Sequence, residues 1–144
     1  MKLLLIADIH ANYEAFQTVL ETPHDKAICF GDIVDYGPDP DKCIDLLLKK
    51  AIPTIKGNHD NAVAFKVNCQ CGYKYKHLSV ATMEYTWKVL DNSRIEYLQK
   101  LPLLIKEEIE EKRLYVTHAS PRSMFEYIKP ETPDEEIQNK IIVL

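Results

Sequence analysis

KLLLIADIHANYEAFQTVL, residues 2–20, decides the fold. Its first half, KLLLIA, is apolar without alternation and as long as a strand, which suits a strand covered on both faces. The run breaks at Asp8, and after Asn12, a good N-cap, the apolar residues Ala15, Phe16, Val19 and Leu20 recur with the helical period until Pro23 stops them. Strand, polar loop and helix therefore follow one another within about twenty residues.

The same order repeats. KAICF at 26–30 reads as a second strand, GDIVDYGPDP at 31–40 as a loop, and residues 41–50 as an amphipathic helix with Ile44, Leu47 and Leu48 on one side. IPTIK at 52–56 reads as a third strand, running into KGNHDNAVAF at 56–65. Such alternation predicts an α/β fold with a parallel sheet whose loops gather at its carboxyl edge. Further on, helices are expected at 77–90 and 93–100, a hairpin across LLIKEEIEEKRLYVTHAS at 103–120, a short helix at 134–139 and a last strand, KIIVL, at 140–144. With no repeat, low-complexity tract or linker, residues 1–144 read as a single domain.

Composition narrows the function. Of the 144 residues 46% are hydrophobic and 28% charged, enough for a globular core and too apolar for a disordered chain. A net charge of -4 argues against an extended nucleic-acid surface, so a small-molecule partner is expected. The apolar runs are too short for a membrane span or a secretory leader, which makes the cytoplasm the expected compartment. Cys29 reads as a buried small hydrophobe and Cys43 as a helix residue. Cys69 and Cys71 form a single C-x-C that reads as two loop thiols rather than a zinc knuckle.

The chemistry gathers at strand ends. Asp8 and His10 follow the first strand, Asp32 and Asp35 the second, Asn58, His59 and Asp60 the third, and His118 a fourth. Each has an ordinary explanation when taken singly, as a cap, a turn residue or a core histidine. Taken together they put carboxylates, imidazoles and an amide at the sheet edge where α/β folds bind ligands. Two residues apart on an extended backbone, Asp8 and His10 would point to the same side. Mixed oxygen and nitrogen donors suit Mn2+, Fe2+ or Zn2+ better than Ca2+, and one carboxylate can bridge two ions.

DIH at 8–10, GDIVDYG at 31–37, GNHD at 57–60 and THAS at 117–120 resemble, in order and spacing, the calcineurin-like metallophosphoesterases, especially their small bacterial and archaeal members. The resemblance covers essentially the whole chain. It implies a metallophosphoesterase-type β-sandwich core flanked by helices, with the second sheet incomplete. It implies two divalent metal ions, Mn2+ first, with Fe2+, Zn2+ or Ni2+ as alternatives. Asp8, His10 and Asp32 would hold one ion and Asp32, Asn58 and His118 the other, with Asp32 bridging. His59 would face the leaving oxygen of a small phosphorylated substrate, attacked by a hydroxide held between the metals. Asp60 would orient that imidazole or cap the helix starting near Asn61, and Asn12 would touch phosphate or cap the first helix. Two divalent ions against Asp8 and Asp32 leave about two positive charges, enough to attract an anion into an acidic protein.

Family members carry a further Gly-His-x-His motif after a strand resembling KIIVL, and this sequence ends at Leu144 before any such motif. On the resemblance, each site then lacks an imidazole, and the expectation is impaired turnover. The alternatives are a silent remnant that binds metal, phosphate or a protein partner, or one half of a split enzyme. An unpaired hairpin edge would also invite a homo-oligomer.

Overall fold

A computed structural model describes every residue except 73, 75 and 142–144. Strand β1 (Leu3–Ile6) pairs in parallel with β2 (Lys26–Cys29), Leu3 opposite Lys26 and Ile6 opposite Cys29. Between them runs helix α1 (Tyr13–Leu20), whose N-terminus is capped by the Asn12 side-chain oxygen accepting from the Ala15 N–H at 3.1 Å. The third strand expected at 52–56 is reduced to one parallel bridge, Cys29 with Thr54. Pro53 has no N–H to offer a ladder. The chain then leaves the sheet, and the Lys56 N–H donates to the Pro102 carbonyl at 2.8 Å.

Helix α2 (Pro40–Lys49) starts on a proline, whose fixed φ and missing N–H are harmless in a first turn. Helix α3 (Asn58–Phe65) begins at Asn58, earlier than the start expected near Asn61. Helices α4 (Lys76–Val89) and α5 (Asn92–Lys100) follow, the latter capped by Asp91. The hairpin forms as expected from β3 (Leu104–Ile109) and β4 (Lys112–Thr117). Its two loop residues, Glu110 and Glu111, have φ of 49° and 65°, as a tight hairpin turn requires. Helix α6 (Asp134–Ile141) runs two residues past the expected 134–139 and takes up the first residues of the expected strand 140–144; the rest of that strand lies outside the described residues. Three acidic residues in its first turn, Asp134, Glu135 and Glu136, complement the helix dipole.

The pleat of β1 and β2 sorts the core into two layers. Ile6, Ala27 and Cys29 face the helices and join Phe16, Ile33, Ile44, Leu47, Val63 and Leu98. Ile28, one residue out of phase, faces the other way and packs with Ile55 and Val116, flanked by Leu3, Phe30, Ile105 and Leu114. Burying a side chain the size of Ile28 stabilises by about 1.5–3 kcal/mol, so the hairpin is anchored by only a few such contacts. The fold is the expected mixed α/β sandwich with a small second sheet. Coverage of β1 falls short of expectation, because Leu5 on the hairpin side remains 53% exposed. Among the described residues, no helix is long and apolar enough to cross a membrane.

Candidate metal centre

The loop after β1 is not extended. Asp8 and His10 have φ of 53° and 46°, and Asp32, Asp35 and Tyr36 in the loop after β2 also lie in the left-handed region. Same-side projection from an extended backbone is therefore the wrong reason for Asp8 and His10 to meet. Their backbone is set by the neighbouring loop instead: the N–H groups of Asp8, His10 and Ala11 donate to the carbonyls of Gly31, Asp32 and Ile33 at 3.2, 2.9 and 2.7 Å. Each non-glycine residue held left-handed costs about 1–2 kcal/mol, and such strain concentrates at functional sites. Gly31 combines a φ of 89° with close packing, since a Cβ there would strike the backbone nitrogen of Gly57.

Asp60 ties the second and third loops together. One of its oxygens accepts from the N–H groups of Asp32 and Gly57 at 2.8 and 2.9 Å, and the other from Ile33 and Val34 at 2.8 and 3.3 Å. All this acceptor capacity goes to backbone, so of the two expected roles Asp60 does not orient His59, a correction, but does help cap the helix, accepting from the N–H of Gly57 at the N-terminus of α3. Neighbours on a helix point about 100° apart, which keeps the Asp60 carboxylate away from the ring before it.

The partner of His59 is Asp35, whose Oδ2 accepts from the imidazole Nδ1 at 2.8 Å. Asp35 is fully buried and also accepts from Ser79 Oγ at 2.6 Å, from Thr82 Oγ1 and from the Tyr36 N–H. Burial alone would raise the Asp35 carboxyl, but the bonds from His59, Ser79 and Thr82 outweigh it and hold it below its ordinary value. For His59 burial pulls downward, while Asp35 and the nearby Asp32 charge prevail and raise it. The motif GDIVDYG contains Asp35, yet nothing local in the sequence assigns it this partner.

Two imidazole nitrogens then converge on Asp32 from separate elements. Asp32 Oδ1 is occupied by the His59 backbone N–H at 2.9 Å, which leaves Oδ2 facing the cleft. His118 Nδ1 donates to the Phe30 carbonyl at 2.7 Å, and its Nε2 lies 3.0 Å from Asn58 Oδ1 and 3.5 Å from Asp32 Oδ2. Asn58 is aimed by its own amide, which donates to the Cys69 carbonyl at 2.8 Å. His10 Nδ1 donates to the Val34 carbonyl at 3.2 Å, and its Nε2 lies 3.8 Å from both Asp32 Oδ2 and Asp8 Oδ1. With both Nδ1 atoms donating, the neutral rings present lone pairs at Nε2 to oxygens that also only accept. Such a cluster is satisfied by a proton or by a cation. In the absence of a metal a proton serves: burial would lower His118, but Asp32 prevails and raises it to about 9. Burial likewise works against the Asp32 carboxylate, and His118, His59 and His10 together still hold its carboxyl below the ordinary value.

This donor set fits divalent cations of the Mn2+, Fe2+ or Zn2+ type, all oxygen and nitrogen around a buried carboxylate. Ligand atoms of Asp8, Asp32 and His118 lie within 4.8 Å of one another, as do those of His10, Asp32 and His59, with Asp32 common to both groups. The grouping by distance thus draws in His59, expected from the resemblance to stand outside the ligand set. The cleft in front of them measures about 570 Å³ and has Tyr36, Leu78, Tyr127 and Lys129 on its walls. Tyr36 packs edge-on against His10 at 4.8 Å between ring centres, helping to hold that ring in place. Asn12 is not among the cleft residues; its oxygen is spent on capping α1.

Comparison with known proteins agrees with this architecture. A family model described as calcineurin-like phosphoesterase matches residues 1–141. An uncharacterized protein of Methanocaldococcus jannaschii is 34% identical over 137 residues, 91% of this chain and 55% of its own length. A metallophosphoesterase from Sphaerobacter thermophilus superposes with a TM-score of 0.68 at 32% identity, covering 89% of this chain and 51% of its own. A hypothetical protein from Pyrococcus horikoshii gives 0.81 at 25% identity, covering 96% and 63%. The chain therefore spans between about half and two thirds of the length of these relatives. It belongs to the calcineurin-like phosphoesterase family.

Proposed function

We propose that this calcineurin-like phosphoesterase hydrolyses small phosphate monoesters or diesters with two divalent ions, Mn2+ first among them. In this reading Asp8, His10 and Asp32 hold one ion, Asp32, Asn58 and His118 the other, and residues 1–144 act as one domain. The observation that carries it is the pair of Nε2 atoms, from His10 and His118, at 3.8 and 3.5 Å from the same oxygen of Asp32. Bound there, the ions supply positive charge to an anionic ester and lower the pKa of water to about 7.

The chain's own groups do the rest. His59, which burial pulls down and Asp35 and Asp32 raise above its ordinary value, donates a proton to the oxygen that leaves phosphorus. Asp35 fixes the ring through Nδ1, and Ser79 and Thr82 fix Asp35 in turn. Asp60 is a positioning residue, holding the loop that carries Asp32 against the one that carries Asn58. Asn12 remains a helix cap rather than a phosphate contact.

The test is hydrolysis of p-nitrophenyl phosphate and bis(p-nitrophenyl) phosphate with Mn2+, alongside calorimetric Mn2+ binding. Asp32→Ala should abolish both binding and turnover. His59→Ala should keep the metal and lose about 10²–10⁴-fold in rate. Turnover unaffected by either change would overturn the mechanism, and tight Mn2+ binding without turnover in the unmodified chain would reduce the function to binding alone.

A further inference from the structure

Cys69 and Cys71 lie outside all four motifs, yet the fold brings them to the cleft. Cys69 is buried, and its carbonyl is the group that aims the Asn58 amide. Its sulfur lies 3.5 Å from Ser79 Oγ, which also donates to Asp35. Cys71 lines the cleft beside Asp32 and His59. The two sulfurs are joined as a disulfide in this structure. A ring nitrogen of His59 and both sulfurs lie within 4.8 Å of one another.

We propose that the reduced pair, Cys69 and Cys71, forms with His59 a second metal site for a thiophilic ion such as Zn2+, opening onto the same cleft. Two thiolates and one imidazole are a soft donor set, unlike the oxygen and nitrogen ligands around Asp32. Three protein ligands leave a fourth position open, and the cleft gives a path for entry. To reach this state the disulfide takes two electrons and two protons from a dithiol, which is itself oxidised to a disulfide. Zn2+ then displaces both thiol protons to solvent.

His59 is where the two sites meet. Coordination through Nε2 would occupy the nitrogen that the bond to Asp35 leaves free, and coordination through Nδ1 would break that bond. Either way the imidazole is withdrawn from the cleft's chemistry. The metal site itself stands independently of the phosphoesterase reading; only this last consequence rests on it.

Cd2+ titration of the full chain, saturated with Mn2+, tests the proposal through the ultraviolet thiolate-to-cadmium absorption, with no activity measurement needed. In the chain reduced with dithiothreitol and then freed of it by gel filtration, the absorption should saturate at one equivalent. Oxidation with diamide should abolish it, and a second round of reduction and gel filtration should restore it, a control that needs no substitution at the buried Cys69. Cys71→Ser should remove most of the signal, and His59→Asn should weaken Cd2+ affinity about tenfold or more. Cys29 and Cys43 are buried in the core and should contribute nothing. No thiolate band at one equivalent in the folded, reduced chain would overturn the site, as would a band indifferent to Cys71→Ser or an affinity indifferent to His59→Asn.

Discussion

Asp35→Asn keeps the side-chain volume and removes the charge. In the native chain the Asp35 carboxylate accepts from His59 Nδ1, Ser79, Thr82 and the Tyr36 N–H. An asparagine has one acceptor oxygen. Turned toward His59, its NH2 faces Thr82 and the Tyr36 N–H; turned the other way, it faces the imidazole N–H. The serine and threonine hydroxyls can rotate to accept, so the net loss is one hydrogen bond to a charged group, about 1.5–3 kcal/mol.

The sign of the pH dependence follows from two opposite shifts. Asp35 is depressed in the folded chain, so its contribution is present above the unfolded value of about 3.9 and fades as pH falls through the lower folded one. His59 is raised, so its contribution is complete below about 6.5 and fades as pH rises through the higher folded one. The penalty of Asp35→Asn should therefore be largest between about pH 4 and 6.5 and shrink above. Urea denaturation of the metal-free chain across that range measures it, while the imidazole NMR signal of His59 reports the ring directly. With the Asp35 charge gone, its upward pull is lost and the ring should titrate lower than in the native chain. A His59 resonance that titrates unchanged in the variant, or a penalty that grows above pH 7, would refute the pairing.

Asp60→Ala strips the acceptor from four backbone N–H groups and should weaken Mn2+ binding about 10- to 100-fold by calorimetry with helical circular dichroism retained; unchanged affinity would show that the two loops hold each other without it. On the proposed ligand set His118, raised to about 9 without metal, would surrender its proton on binding, so Mn2+ affinity should rise roughly tenfold per pH unit below that value, and a flat profile from pH 6 to 8 would exclude His118 from the ligands. Gly31→Ala adds a Cβ against the Gly57 backbone at a φ of 89°, so it should cost more than about 2 kcal/mol in urea denaturation, and a loss under half that would mean the two loops can separate freely.

Much of this molecule was legible in one dimension. Apolar runs of strand length, helical periods and capping residues are local signals. They located β1, β2, the helices and the β3–β4 hairpin, and the family motifs marked which strand ends carry chemistry. The misreadings came where local rules met a competing neighbour. Pro53 starved the third strand of a donor and left one bridge with Cys29. Asp8 and His10 took left-handed backbone because the loop after β2 offers carbonyls to their N–H groups.

The family resemblance suggested the adjacent Asp60 for His59, whereas the helix turns consecutive side chains apart and a residue 24 positions away, Asp35, holds the ring. The proximity of Cys69 and Cys71 to His59 was equally invisible, since a C-x-C alone does not state what folds over it. The sequence by itself determined the order of elements and the kinds of side chain at their ends, because periodicity and capping act over a few residues. Which carboxylate serves which imidazole, and which sulfur meets which ring, only the tertiary structure decided, because those contacts are made between chain segments that packing alone brings together.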